Sequence, residues 1–334
     1  MATLYDVCKK TGLSSATVSR VINGSSLVKK ATRDRVQKAM EELNYRPSHA
    51  ARMLAGSKTD TIGVVLPAID NGYYVQVLHG LDHVSTTEKL KLLISFYHSD
   101  LDLLDNLGSL CGEGRADAVI LMNNSLLPPE KVRELTGDDF PIVLIGQKDE
   151  TAKAADSILI DNVHGAHCAV AHLLENQPKS LLLITGPENN FDSQERLLGA
   201  QKAIEEAPFD VEVSILHSDF RYEGGRKVFA EYIKEHGTYP DAVFSFNDDM
   251  ALGVLDVLNG SDRKIPEDIQ IIGFDNNLLA RCIGLSTISV PMRQIGVEAG
   301  LLVANRIKNK DAKPASITLQ TSLIPRKTTR QKIG

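Results

Sequence analysis

The chain has 334 residues, of which 43% are hydrophobic and 24% charged, so it is long enough for two or three domains with full cores. Its 24 glycines and 13 prolines are near ordinary globular usage, which sets aside collagen-like, low-complexity and wholly disordered classes. The net charge of −6 conceals an asymmetry: residues 1–60 carry 11 Lys/Arg against 5 Asp/Glu, and the remainder carries 26 against 38. A small cationic head on a large anionic body implies a polyanion-binding module joined to a unit with another task.

Met1-Ala2-Thr3-Leu4-Tyr5-Asp6 lacks a basic stretch followed by an apolar one, and no later run approaches the ~20 apolar residues that span a bilayer. A cytoplasmic protein with no membrane partner is therefore expected. Cys8, Cys111, Cys168 and Cys282 form no CxxC and no close Cys/His cluster, as reduced structural thiols would.

From Thr3 to Asn44 the pattern is helical with short breaks. Thr3 is placed to cap a first helix whose Leu4, Val7 and Cys8 fall at i, i+3 and i+4, and Gly12 stops it. Ser14 caps a second helix over 15–22 with Val18, Val21 and Ile22 inward, and Asn23-Gly24 ends it. A third stripe, Ala31, Val36, Ala39, Met40 and Leu43, closes a three-helix unit before Tyr45-Arg46-Pro47 interrupts the pattern. Residues 48–56 read as a conditional helix, capped at Ser48 and ending at Gly56, too short to persist alone in water.

From Thr61 onward short apolar runs alternate with helical stretches: 62–66, 90–95, 118–122, 142–145, 158–160, 181–185, 211–216, 242–245, 269–272 and 287–290. Such runs predict βαβ units in buried parallel sheets, most simply two doubly wound subdomains whose ligands bind beyond the strands' carboxyl ends. The expected fold class is α/β: a headpiece over 1–47, a hinge and linker over 48–60, and an effector-binding and dimerisation body over 61–334. Within the body, one subdomain takes about 61–160 and 292–322, the other about 161–291 and 323–334.

A helix, a tight turn and a second helix capped by Ser14 is the geometry that lays the second helix in a major groove. Ser15, Ala16 and Arg20 face outward, where Arg20 suits a bidentate contact to guanine and Ala16 a thymine methyl. Thr3, Tyr5, Ser14, Thr17, Ser19, Asn23 and Thr32 are polar groups suited to phosphates.

Four motifs, Thr3-Leu4-Tyr5-Asp6-Val7, Ser14-Ser15-Ala16-Thr17-Val18-Ser19-Arg20-Val21-Ile22-Asn23, Leu43-Asn44-Tyr45-Arg46-Pro47 and Ala50-Ala51-Arg52-Met53-Leu54-Ala55-Gly56, resemble the headpiece and hinge of the lactose/galactose repressor (LacI/GalR) family of bacterial transcription regulators. The resemblance continues in Ile62-Gly63-Val64-Val65-Leu66-Pro67, Thr185-Gly186-Pro187, Asn247-Asp248-Asp249-Met250-Ala251-Leu252-Gly253 and Ile272-Gly273-Phe274-Asp275. It implies a helix-turn-helix headpiece on a periplasmic-binding-protein-like body, a double-stranded operator, base reading by Ser15, Ala16 and Arg20, and Leu54 wedged into the minor groove. Lys29 departs from the Ser that relatives often carry at the start of the third helix. A cation there is unfavourable for the helix and useful beside a phosphate, which suggests backbone contacts for Lys29 and Lys30.

A cleft between two α/β subdomains needs converging polar groups and an aromatic platform. In Asp70-Asn71-Gly72-Tyr73-Tyr74 either tyrosine could stack on a sugar face while Asn71 or Asp70 bonds hydroxyls; a dimer interface would use the same rings equally well. The resemblance adds Arg196, Asn247 and Asp275 as pocket residues. This set fits vicinal hydroxyls, as of a sugar or sugar phosphate, and also a purine edge. At Ile145-Gly146-Gln147, where many relatives place Asp or Asn after the strand, Gln147 is the available substitute.

Catalysis has little support: there is no HExxH, GxSxG or complete phosphate-binding loop, and Asp248-Asp249 suits helix capping. His79 and His83, at i and i+4, lack a third ligand nearby, so neither a metal nor another cofactor is expected. The expected protein is a homodimer whose two short recognition helices match a palindrome, with an effector acting on the hinge as inducer or corepressor. A purine-responsive regulator and a non-catalytic sugar-binding protein are the alternatives.

Overall fold

The computed structural model describes residues 2–22, 27–45, 58–67, 72–122, 129–137, 140–147, 155–309 and 311–330. Three helices, α1 (Leu4–Thr11), α2 (Ser15–Ile22) and α3 (Lys30–Glu42), form the N-terminal unit. Thr3 closes a capping box on α1: its hydroxyl accepts from the Asp6 backbone N–H, and the Asp6 carboxylate accepts from the Thr3 N–H at 2.8 Å. Gly12 ends the helix at φ 64°, a left-handed conformation that a side chain would strain, and its N–H donates to the Cys8 carbonyl at 2.8 Å.

Val7, Val18, Val21, Val36 and Ala39 form this unit's core, with Met40 and Leu43 packed on its margin. Two residues depart from the expected stripe. Ala31 is exposed in the first turn of α3, and Tyr45, beyond the helix, is buried in the core. The conditional helix over 48–56 and the stop at Asn23-Gly24 lie outside the described residues.

The body contains two six-stranded sheets. The first runs in the order β11 (Ser316–Leu319), β5 (Asp156–Ile160), β4 (Ile142–Ile145), β3 (Ala118–Met122), β1 (Thr61–Pro67), β2 (Lys91–Tyr97), all parallel. The second runs β12 (Ser322–Ile324), β10 (Ser286–Ser289), β9 (Gln270–Asp275), β8 (Ala242–Ser245), β6 (Ser180–Thr185), β7 (Glu212–His217), parallel except for antiparallel β12. The expected parallel sheets are thus present, with β12 added as one antiparallel edge. Neither β11 nor β12 was expected from the sequence, because Ser316–Leu319 alternates half-buried with exposed residues and reads as polar.

Central strands are buried on both faces because helices cover both, which is why β1, β3, β4 and β8 are near-continuous apolar runs. Edge strands β2 and β7 are only partly covered. The intervening helices are α4 (Gly72–Glu88), α5 (Asp100–Gly112), α6 (Pro129–Thr136), α7 (Asn162–Leu174), α8 (Phe191–Glu205), α9 (Tyr222–His236), α10 (Asp248–Asn259), α11 (Leu278–Ile283) and α12 (Met292–Lys308).

The chain passes between the sheets three times, after β5, after β10 and between β11 and β12. At these crossings the Asp161 N–H donates to the Leu319 carbonyl at 3.0 Å, and the Thr321 hydroxyl donates to the Asp161 carbonyl at 3.1 Å. α12 returns to the first sheet and packs against α4 so closely that a Cβ on Gly296 would stand 2.0 Å from the Val77 carbonyl oxygen. Only glycine permits that approach.

Candidate functional site

The short polar helices of the N-terminal unit expose one face. α2 begins with a Ser14 cap, whose hydroxyl accepts from the Thr17 N–H at 3.3 Å and lies 2.9 Å from the Thr17 hydroxyl. Burying Val18 and Val21 turns Ser15, Ala16 and Arg20 outward, the three side chains expected to read bases. Tyr5, Lys29 and Lys30 are also exposed, while Thr17, Ser19 and Thr32 are half-buried. The Thr3 hydroxyl donates to Asp6 at 2.8 Å, so its proton already serves the α1 cap. The same hydrogen bonds hold the Asp6 carboxyl below its ordinary pKa. Leu54 and Asn23 lie outside the described residues.

Between the two sheets opens a cleft of about 1130 Å³, walled by the loops that follow the carboxyl ends of the strands. Tyr74 of α4 and Tyr97 at the end of β2 face it from one lobe; Phe220 and Tyr222, after β7, face it from the other. Asp219, Glu223 and Asp249 supply carboxylates, Asn189, Asn190 and Asn277 amides, and Arg221 a guanidinium. Apolar rings with a few convergent polar groups are the usual makeup of a small-molecule site.

Among the expected effector residues, Tyr74 lines this cleft. Tyr73, edge-to-face with Tyr74 at 5.2 Å, is half-buried; burial, then the nearby Asp192, Tyr74 and Asp275, hold its phenol well above its ordinary pKa, with Arg196 pulling the other way. Gln147 follows β4, half-buried, away from the cleft wall, and Asn71 lies outside the described residues. Arg196, Asn247 and Asp275 come together, but buried beside the wall rather than in it. Arg196 donates from Nε to the Asn162 side chain at 2.8 Å and from Nη1 to the Phe246 carbonyl, and its guanidinium lies 3.9 Å from the Phe274 ring centroid. Asn247 caps α10 by accepting from the Met250 N–H at 2.9 Å, and its amide donates to the Phe220 carbonyl at 2.7 Å. Asn247 thereby fixes Phe220, a ring of the cleft wall, and the Arg196 guanidinium lies 5.9 Å from that ring's centroid.

Around Arg196 stand more carboxyls than one cation can neutralise. Burial raises the pKa of Asp192, and of Asp275 well above its ordinary value, although Arg196 is 3.9 Å from Asp275 and pulls the other way. Asp248, fully buried, is pushed up to about 7 by burial, despite accepting from the Thr287 hydroxyl at 2.6 Å and the Asn277 N–H at 2.8 Å. Its neighbour Asp249 bonds the Asn277 side chain at 3.0 Å, so both acids tie the start of α10 to the β9–α11 turn. That turn is strained: Asp275 has φ 115° and Asn276 φ 60°, the latter held by Ser289 and Arg326 through its side chain.

Sequence reasoning missed Tyr97, Asn189, Asn190, Asp219, Phe220, Tyr222 and Asn277. A signal for most of them was available, since each follows the carboxyl end of a strand of its sheet. His79 and His83 are exposed on α4, and among the described residues no three His, Cys, Asp or Glu side chains form a group that could hold a metal ion.

Comparison with known proteins places both units. Residues 3–48 match the family described as bacterial regulatory proteins, lacI family, and residues 170–329 match the periplasmic binding protein-like domain. The HTH-type transcriptional repressor PurR of Vibrio parahaemolyticus serotype O3:K6 (strain RIMD 2210633) is 32% identical over 340 residues, spanning 99% of each chain. The lac repressor dimer bound to operator and the anti-inducer ONPF superposes with a TM-score of 0.84 at 25% identity, over 99% of each chain. The complex of the transcriptional regulator CelR with cellobiose superposes with a TM-score of 0.73 at 27% identity, over 98% of this chain and 100% of that one.

Proposed function

The chain belongs to the lacI family of bacterial regulatory proteins, and from that premise we propose that it is a ligand-responsive transcriptional repressor. It binds a pseudo-palindromic duplex operator as a homodimer and is not an enzyme. It works in the bacterial cytoplasm, at the nucleoid when on its operator. Ser15, Ala16 and Arg20 read base edges, with Leu54 wedged at the operator centre. Tyr5, Ser14, Thr17, Ser19, Asn23, Lys29, Lys30 and Thr32 hold the phosphates, with Thr3 close by.

The effector is a sugar. The observation that carries this is the cleft itself: aromatic rings from both lobes oppose one another across about 1130 Å³, rimmed by carboxylates and amides. Rings stack on the apolar faces of pyranoses, carboxylates accept from hydroxyls, and the volume exceeds what a monosaccharide fills. A solved relative in complex with cellobiose supports the same class. Three acids against Arg221 make the cleft a poor host for an anion, so a neutral saccharide is favoured over a sugar phosphate.

Sugar binding changes the angle between lobes, and with it the spacing of the paired hinges on DNA. A coupling of about 1–3 kcal/mol, or roughly 5–150-fold in operator affinity, is the usual scale. The test is selection of bound duplexes from a random pool by the full chain, followed by titration of mono- and disaccharides, their phosphates and purines. A two-fold symmetric site should emerge, and Arg20→Ala should lose discrimination at one position per half-site, about 1–3 kcal/mol for each lost contact. Enrichment of no symmetric site removes the operator reading. A response to purines and to no saccharide removes the sugar reading alone.

A further inference from the structure

A second cavity, of about 350 Å³, adjoins the large cleft and has the opposite electrical character. Its walls come from both lobes: Gln76 of α4 with Arg293 and Gln294 of α12 on one side, Asn276 and Arg281 on the other. No acidic side chain lines it among the described residues. Arg281 and Arg293 are both exposed, and neither guanidinium has a hydrogen-bond or ion-pair partner among those residues. In a body where acids outnumber bases 38 to 26, two unpaired guanidiniums facing one hollow are not a consequence of composition.

The backbone adds to their charge. The first turn of α12, a 17-residue helix, forms part of the wall; it has no side-chain cap and no acidic residue. The N–H groups of Arg293 and Gln294 find no backbone acceptor among the described residues. Free N–H groups at a helix start carry partial positive charge, and guanidiniums present paired donors matched to phosphate oxygens.

We propose that this cavity binds a small phosphorylated metabolite, its phosphate held between Arg281 of one lobe and Arg293 of the other. The carboxylates of the neighbouring cleft repel such a group, so charge sorts two ligands between adjoining sites. The phosphate bridges elements on either side of the lobe crossings and thereby restrains the same angle that the cleft ligand sets, so two metabolites report on one hinge. The proposal stands apart from the saccharide reading: phosphate binding succeeds or fails whichever neutral ligand the cleft takes.

Isothermal titration of the full chain with inorganic phosphate and with glycerol 3-phosphate, against glycerol, tests it. The expected result is saturable binding of both phosphates at one site per chain, with a dissociation constant of about 1 mM or tighter, and none of glycerol. Arg281→Gln and Arg293→Gln should each weaken it about tenfold or more, while Lys227→Gln, an exposed cation of α9 that lines neither cavity, leaves it unchanged. Both arginines are exposed, and unaltered circular dichroism confirms that the variants fold. In parallel, phosphate should raise the melting temperature of the unsubstituted chain and not of the arginine variants. Phosphate binding that survives both arginine substitutions, or that responds to Lys227→Gln as strongly, overturns the proposal, as does the absence of saturable binding.

Discussion

Asp248 shows how a single side chain can serve opposing demands. Its two oxygens organise the Thr287 hydroxyl and the Asn277 backbone, yet the site offers no cation close enough to offset full burial. The carboxyl therefore ionises at about 7 in the folded chain, against an ordinary 3.8. Between those values the folded state keeps a proton that the unfolded state has released, so each rise in pH removes stability, and the loss is complete above about 7. Urea unfolding should show a falling midpoint from about pH 5 to about pH 7.5, with this group contributing at most about 1.4 kcal/mol per pH unit. Asp275 shifts in the same direction, so Asp248→Asn should make the slope shallower without abolishing it. An unchanged slope would show that other groups carry the dependence.

At the scale of elements, the third crossing between lobes depends on α12 staying docked on the first sheet. Two devices hold it. One is the glycine contact with α4, where Gly80 and Gly296 let the backbones touch. The other is a buried ion pair: Arg306 of α12 grips Asp156 of β5 from Nε at 2.6 Å and Nη2 at 3.1 Å, and the Ala315 N–H donates to the same carboxylate at 2.7 Å. One carboxylate thus joins α12, β5 and the approach to β11. Removing it strands a guanidinium whose side chain is 14% exposed, and breaking such a pair costs about 3–5 kcal/mol. Asp156→Ala should lower stability by that amount in chemical denaturation. Arg306→Met added to it should restore part of the loss, because an apolar side chain in the same place needs no partner.

For the whole molecule, the instructive surface is β2. It closes one end of the first sheet and leaves Leu93, Ile94 and Phe96 39%, 40% and 46% exposed. Apolar side chains on an open sheet edge invite association, and natural monomers usually blunt such edges. A second copy seated there would cover these side chains and join two chains, as a two-fold operator requires. Phe96→Glu should shift sedimentation from dimer toward monomer and weaken operator binding, with saccharide binding per chain retained. A variant that stays dimeric with full operator affinity would place the interface elsewhere.

Much of this protein was legible without coordinates, for reasons that differ by region. The headpiece could be read closely because its signals are local: Thr3 and Ser14 as caps, Gly12 as a stop, and a buried valine stripe that turns Arg20 outward all act within a few residues. The central strands were equally plain, since burial on both faces demands unbroken apolar runs. β12 was hidden because its pairing with β10 is antiparallel and set by residues far along the chain.

The cleft divides along the same line. Motif likeness singled out Arg196, Asn247 and Asp275, but a motif cannot say whether a polar group faces a cavity or is spent on its neighbours, and here all three are buried in their own network. What faces the cleft is chosen by the packing of two lobes whose walls come from loops more than a hundred residues apart. The sequence alone determined that a cationic three-helix head precedes an α/β body, because capping, periodicity and charge are written into neighbouring residues. Only the tertiary structure decided which rings oppose one another and which arginines are left unpaired, because burial and pairing belong to the assembled surface.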